Sequence, residues 1–376
     1  MITRKSVAVA AMLLALAVCR PVLAQRPRNA DAAGQRGAAP APVDYRPKAA
    51  NPEEFTAWQA LNAEANPANK ITLADQFLTT YPNSQLAGYV QRFRMQSFTM
   101  LGKYKEAVAA GEAGLALETK YLENLIVRAD SEAAAARSVP PNNNKNAKNA
   151  PPPGPPPIDK NSDAFKMLAD DTEKAMMYYY QNIMSSYQSL NDATQTIEWA
   201  QKALGQNPDD LLTLLTISSV MAARPSSDQK ALEKEMKDAE EHARNALAQV
   251  NALVGGPMGA AMKPEDKASL QSTAHQTLGR IYFNTKKYSD SQKEYGAAIV
   301  AKRDDGDSYF YLGLALAQDK PPKVDDAMES LAKAVFLKGI TANQANDVLK
   351  TLYQNVKKSM DGYDEFIKAA GAKIGK

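Results

Sequence analysis

Residues 278–313 read LGRIYFNTKKYSDSQKEYGAAIVAKRDDGDSYFYLG, and the Leu-Gly pair that opens this stretch returns 34 residues later as Leu312-Gly313. Between the pairs, Tyr282, Ser291, Tyr295 and Ala298 fall at helical spacing on either side of a polar turn, Lys286-Lys287-Tyr288. Ala327, Leu331 and Ala334 resume the same order after Gly313. Small residues at Gly279, Gly313, Ala298 and Ala334 allow two helices to approach to about 8–10 Å, while Leu and Tyr fill the space between them. A helix pair built this way keeps an apolar outer face and has to stack on a neighbour, which predicts an all-α array of repeats.

The pattern extends upstream. Thr196 to Pro208 carries Ala203-Leu204 and ends in a proline turn, with Tyr180, Ile183, Met184 and Tyr187 on the helix before it. Ala239, Ala243 and Ala246-Leu247 repeat the spacing, and Ala107, Gly111 and Gly114-Leu115 repeat it more loosely. Trp58 and Leu61, followed by Ala74, Phe77-Leu78 and Tyr81-Pro82, fit a first repeat. This order resembles the tetratricopeptide repeat, L-G-x2-Y followed by a small residue, an aromatic or large residue four positions on, and Ala three beyond that. The resemblance covers about residues 51–337. It implies a right-handed α-solenoid of about seven helix hairpins, closed by a C-terminal capping helix pair over 338–376, that binds a protein or extended peptide on its inner wall.

The ends and interruptions read differently. Arg4 and Lys5, the uncharged run Val7–Val18 and Val22-Leu23-Ala24 form a signal peptide over residues 1–24, cleaved after Ala24. Cys19 is a weaker candidate for a lipid anchor, because Val18 stands where a small residue is needed. Residues 25–50, rich in Ala, Pro, Arg and Gly, are expected to be a disordered tether. Residues 140–157, PPNNNKNAKNAPPPGPPP, form a Pro/Asn insertion that neither helix nor strand can cross. Two separate helices are expected either side of residue 120, the second near 121–137, and a Gly/Pro loop over 255–264.

Composition narrows the function. The chain has 45 basic and 42 acidic residues, and the signal peptide removes Arg4, Lys5 and Arg20 but no acid, so the exported part is formally neutral. No nucleic-acid partner is expected from that balance, and no second apolar run reaches membrane-spanning length. The single cysteine leaves with the signal peptide, removing disulfides and thiolate chemistry. His242 and His275 lie outside any metal-ligand spacing and are expected to be structural. The loop Gly255 to Pro264 has Met262 and Pro264 around Lys263, where a phosphate loop needs Gly and Ser or Thr. No cofactor is expected, and no nucleophile or paired-carboxylate arrangement points to catalysis. An extracytoplasmic enzyme or carbohydrate-active module on helical repeats is the competing class.

What remains is the polar face of the first helices, read at i, i+3, i+7 and i+10. It yields Tyr89, Arg92, Gln96 and Thr99, then Tyr178, Gln181, Ser185 and Gln188, then Thr273, Gln276, Arg280 and Phe283. Amides, hydroxyls, aromatics and arginine suit a peptide main chain that needs hydrogen bonds and side chains that need stacking. The nine taken forward as binding candidates are Tyr89, Arg92, Gln96, Tyr178, Gln181, Ser185, Gln188, Gln276 and Arg280.

Overall fold

The structure is a computed structural model, and it describes residues 44–138, 158–224 and 229–375. The expected signal peptide, Cys19, residues 25–43 of the expected tether and the insertion 140–157 lie outside the described residues. Fifteen helices and no strand occur among those residues. The chain divides after Asp192 into two compact units.

The first unit holds α1 (Pro52–Ala63), α2 (Pro67–Thr80), α3 (Ala87–Met100), α4 (Tyr104–Ser138) and α5 (Asp163–Ser189). Asn51 and Asn66 cap α1 and α2, each followed by a proline that needs no hydrogen-bond acceptor in the first turn. Each helix packs on the next. Trp58, Leu61, Ala74, Phe77, Leu86 and Val90 form one buried cluster, while Leu125, Phe165 and Leu168 form another. Here the structure departs from the expected division at residue 120, because Tyr104–Ser138 is one continuous helix of 35 residues. No Gly or Pro follows Gly114 within it, so nothing local stops the helix where the repeat period would end.

The second unit holds α6 (Ala193–Gln206), α7 (Leu211–Ala223), α8 (Gln229–Gly255), the single turn α9 (Pro257–Ala260), α10 (Pro264–Asn284), α11 (Tyr288–Ala301), α12 (Gly306–Gln318), α13 (Val324–Leu337), α14 (Ala342–Lys357) and α15 (Tyr363–Gly371). Consecutive helices pack together from α6 to α9 and from α10 to α14, and α8 with α10 and α13 with α15 also touch, so hairpins stack. The small residues do what their spacing implied. A Cβ at Gly279 would stand 2.9 Å from the Tyr295 ring, and one at Gly313 would stand 2.7 Å from Leu331. Ser291 Oγ donates to the Gly279 carbonyl at 2.8 Å, tying α11 to α10 at the point of closest approach. The all-α repeat class expected from the sequence is what both units show.

Candidate functional site

The first unit contains a cleft of about 490 Å³ on α3, α4 and α5. Its walls include Pro47, Gln85, Tyr89, Glu118, Tyr121, Asn124 and Arg128. Gly88 and Gly114 create the space behind it. A Cβ at Gly88 would stand 2.5 Å from the Glu118 side chain, and one at Gly114 would collide with the Tyr179 phenol.

Four of the nine expected binding residues, Tyr89, Arg92, Gln96 and Tyr178, meet in one cluster beside this cleft, and Tyr89 alone of them lines it. Arg92 donates two hydrogen bonds to Glu118, at 2.7 and 2.8 Å, and its guanidinium lies 5.2, 5.8 and 5.7 Å from the ring centroids of Tyr89, Tyr178 and Tyr179. Gln96 Nε2 donates to the Tyr178 hydroxyl at 2.5 Å. Tyr179 is buried and donates to the Gly88 carbonyl at 2.8 Å, with Glu118 Oε1 3.1 Å away. Three helices are thereby joined, α3 to α4 through Arg92 Nη2 and both Glu118 oxygens, and α5 through the Tyr179 hydroxyl.

Burial sets the electrostatics of this cluster. It pushes the Glu118 carboxyl above its ordinary range, against the pull of the Arg92 charge. For Arg92, burial alone works against the charge, but Glu118 and Tyr179 outweigh it and the pKa rises. Burial, helped by the Glu118 charge, lifts Tyr89 to about 12 and Tyr179 well above its usual value. Tyr121 is also raised, by burial first and by Asp44 second. These phenols stay protonated at physiological pH, and those of Tyr121 and Tyr179 serve as hydrogen-bond donors.

Gln181, Ser185 and Gln188 follow Tyr178 along α5, each half-buried. Gln276 and Arg280 belong to the second unit, where α12 engages both. Gln276 Nε2 donates to Asp305 and, at 3.1 Å, to Ser308 Oγ. Arg280 donates to the Tyr311 hydroxyl at 2.9 Å and lies 5.1 Å from that ring's centroid. His275 Nδ1 sits 2.7 Å from Glu294 on the neighbouring helix. No His, Cys, Asp and Glu grouping suited to a metal ion occurs among the described residues, and no described helix is long and apolar enough to cross a membrane.

The cleft also holds main chain that the sequence reading assigned to the tether. Residues 44–50 are non-helical and lie against α3, α4 and α5. The Tyr45 ring meets Phe165 edge-on at 5.8 Å within the Leu125–Phe165–Leu168 cluster. Tyr121 Oη donates to the Tyr45 carbonyl at 2.8 Å, the Asp159 amide donates to the Tyr45 hydroxyl at 3.2 Å, and the Lys48 amide donates to Gln85 Oε1 at 3.1 Å. Gln85, Glu118 and Tyr121 were missed because the register search followed first helices only. The signal for Glu118 was present in Gly88 and Gly114, two small residues facing a large polar pair.

No protein-family model matches the chain, and no curated protein matches it. Solved structures give distant likenesses. The human IFIT1 dimer with m7Gppp-AAAA is 13% identical with a TM-score of 0.37, covering 86% of this chain and 72% of that one. The TPR2AB-domain:pHSP90 complex of yeast Sti1 is 14% identical with a TM-score of 0.20, covering 86% and 96%. The APC/C hetero-tetramer Cut9–Hcn1 is 12% identical with a TM-score of 0.26, covering 86% and 90%. At these values the likenesses carry no weight on function, which has to be read from the chain's own residues.

Proposed function

We propose that this chain is an exported, non-enzymatic scaffold of the cell envelope that binds a protein partner through a peptide segment lying on α3, α4 and α5. The observation that carries the reading is the way the cleft already treats non-helical main chain. Side chains, not backbone, supply the hydrogen bonds to it, from Tyr121 to a carbonyl and from an amide to Gln85. A surface that satisfies main-chain groups with side chains can accept many sequences and still fix direction and register. Tyr89, Asn124 and Arg128 offer further aromatic, amide and cationic contacts along the same cleft. Export is supported by the basic, apolar and small-residue order of residues 4–24.

Photo-crosslinking in the native envelope tests this. A crosslinking amino acid placed at Gln85 or Asn124, both exposed at the cleft, is expected to capture one discrete partner, while the same probe at Gln76 on α2 captures none. Capture at Gln76 alone would reject the cleft as the binding face. N-terminal sequencing of the purified chain is expected to begin at Gln25, and an intact Met1 would reject export by cleavage.

A further inference from the structure

The cleft is partly filled by the chain itself, and the filler has a recognisable chemistry. Asp44-Tyr45-Arg46-Pro47-Lys48 places an aromatic ring in an apolar seat of Leu125, Phe165 and Leu168. Two positions later comes a proline that lines the open cavity. Proline holds its own φ near −65° and keeps Arg46 out of the helical region, so the segment is preorganised in a non-helical form and loses less entropy when it docks. Arg46 is closed onto Asp44 by its own ion pair, at 2.9 Å, leaving the ring and the main chain to face the helices.

We propose that the α3–α5 cleft recognises a non-helical peptide in which an aromatic residue is followed two positions later by proline, and that Asp44–Lys48 is its in-chain occupant, displaced when a partner binds. This rests on the peptide-binding reading above and names the ligand class of that site. Three observations separate a displaceable occupant from ordinary packing. Tyr45 and Lys48 are held to the rest of the unit by only three hydrogen bonds, from Tyr121, from the Asp159 amide and to Gln85. None of these bonds belongs to a helix ladder, so leaving the cleft unwinds nothing. Space of about 490 Å³ remains beside Pro47, lined in part by Asn124 and Arg128, which make no hydrogen bond to the segment, so a longer peptide finds contacts that the in-chain segment lacks.

A tethered occupant competes at an effective concentration of order millimolar, so a site that is closed about nine-tenths of the time weakens its partner's apparent affinity about tenfold. The test uses a fluorescent peptide of residues 44–50, DYRPKAA, titrated into the full chain by fluorescence polarisation. The double variant Tyr45→Ala, Pro47→Gly is expected to bind it about tenfold more tightly than the unaltered chain. Adding Tyr121→Phe, which removes the donor to the peptide carbonyl but keeps the ring, is expected to weaken that binding several-fold. A peptide with alanine at the tyrosine position is expected not to bind.

Equal affinity for the unaltered chain and the double variant overturns the in-chain occupant, as does a folded double variant that shows no saturable binding. Should the double variant lose its helical circular dichroism, hydrogen exchange on the unaltered chain decides instead. Saturating peptide then has to speed exchange at the Lys48 amide, and no change overturns the proposal. If peptide binding fails while crosslinks at Gln85 and Asn124 persist, the cleft still binds a partner, of different chemistry. If both fail, the scaffold reading falls with it.

Discussion

The two units answer the same structural problem, joining one hairpin to the next, with different chemistry. In the first, Arg92 Nη2 on α3 is paired with both Glu118 oxygens of α4 among three tyrosine rings, and a cleft is left open beside it. In the second, Gly279 and Gly313 let α10 and α12 come within contact of their partners, and Arg280 donates to a hydroxyl, that of Tyr311, rather than to a carboxylate. The second unit keeps its carboxylates nearer water. Glu240 accepts from Arg244 at 2.9 Å and from Tyr282 at 3.0 Å, with Lys287 3.4 Å away. Burial alone would raise the Glu240 carboxyl, but the hydrogen bonds from Arg244 and Tyr282 and the Lys287 charge hold it below its ordinary range. An arginine on a first helix thus serves stacking in both units. Polar register positions in such arrays are not automatically free for a ligand.

Removing the carboxylate of the first unit breaks the comparison most severely. Glu118→Ala leaves the Arg92 charge largely buried and unpaired, at a cost of about 2–4 kcal/mol, the lower side of what breaking a buried pair costs because Arg92 keeps some exposure. Urea unfolding with exchange protection followed across α3–α5 measures it. Arg92→Met with Glu118→Leu is expected to recover most of the loss, because an apolar pair of similar volume needs no charge compensation. A single substitution costing under about 0.5 kcal/mol would show that the pair behaves as a surface one.

The same contrast has a pH signature. Glu118 is raised above 4.5, so its contribution is fullest below that value and is lost as pH rises through its folded pKa. Glu240 is lowered, so its contribution is present above 4.5 and is lost as pH falls through its folded pKa. On acidification from pH 6 to 3, α8–α10 loses protection while the Glu118 contribution moves the opposite way and disappears in Glu118→Gln.

The second unit is expected to break at its small residues. Gly279→Leu forces a branched side chain against the Tyr295 ring, already 2.9 Å from where a single Cβ would stand, and is expected to cost about 1–3 kcal/mol. Gly296 is the control. It lies on the adjacent α11 with nothing within 4 Å of its would-be Cβ, so Gly296→Ala is expected to stabilise by about 0.5–1 kcal/mol through helix propensity alone. Thermal melts of the two variants moving in the same direction would reject the register.

Much of this was legible in the sequence, for identifiable reasons. The 34-residue recurrence fixed the spacing of small and aromatic residues, and Gly279, Tyr295, Gly313 and Leu331 meet as that spacing requires. The same period misled at residue 120, where local helix propensity runs on unbroken and outweighs the repeat. Tyr89, Arg92, Gln96 and Tyr178 share a helical register, which is local information, and the structure brings their side chains together. Glu118 was not, since its role depends on a contact 26 residues from Arg92 across two helices. The seating of Tyr45 was least accessible of all. Its partners Tyr121, Asp159 and Phe165 are 76 to 120 residues distant, and an Ala- and Pro-rich stretch carries no local sign of a seat.

The smallest effect sharpens the comparison at the turns, where the two units are most alike. Gly102 closes α3 and Lys286 closes α10, with φ of 70° and 60°. In both, the next residue's amide reaches back five positions, Lys103 to the Phe98 carbonyl at 2.9 Å and Lys287 to the Tyr282 carbonyl at 2.8 Å. Asn191 after α5 repeats it, with φ of 57° and the Asp192 amide on the Tyr187 carbonyl at 3.0 Å, and this helix-ending motif requires a left-handed residue at its centre. Glycine takes that conformation without the Cβ clash, while lysine takes it at some cost. Lys286→Gly is therefore expected to stabilise the second unit by about 0.5–1 kcal/mol, and Gly102→Ala to destabilise the first by about 1 kcal/mol. Nothing lies within 4 Å of a Cβ at Gly102, so backbone strain is the whole of that cost. If Gly102→Ala melts unchanged, the turn relaxes more easily than the shared geometry implies, and the likeness between the two turns is one of shape without a common energetic demand.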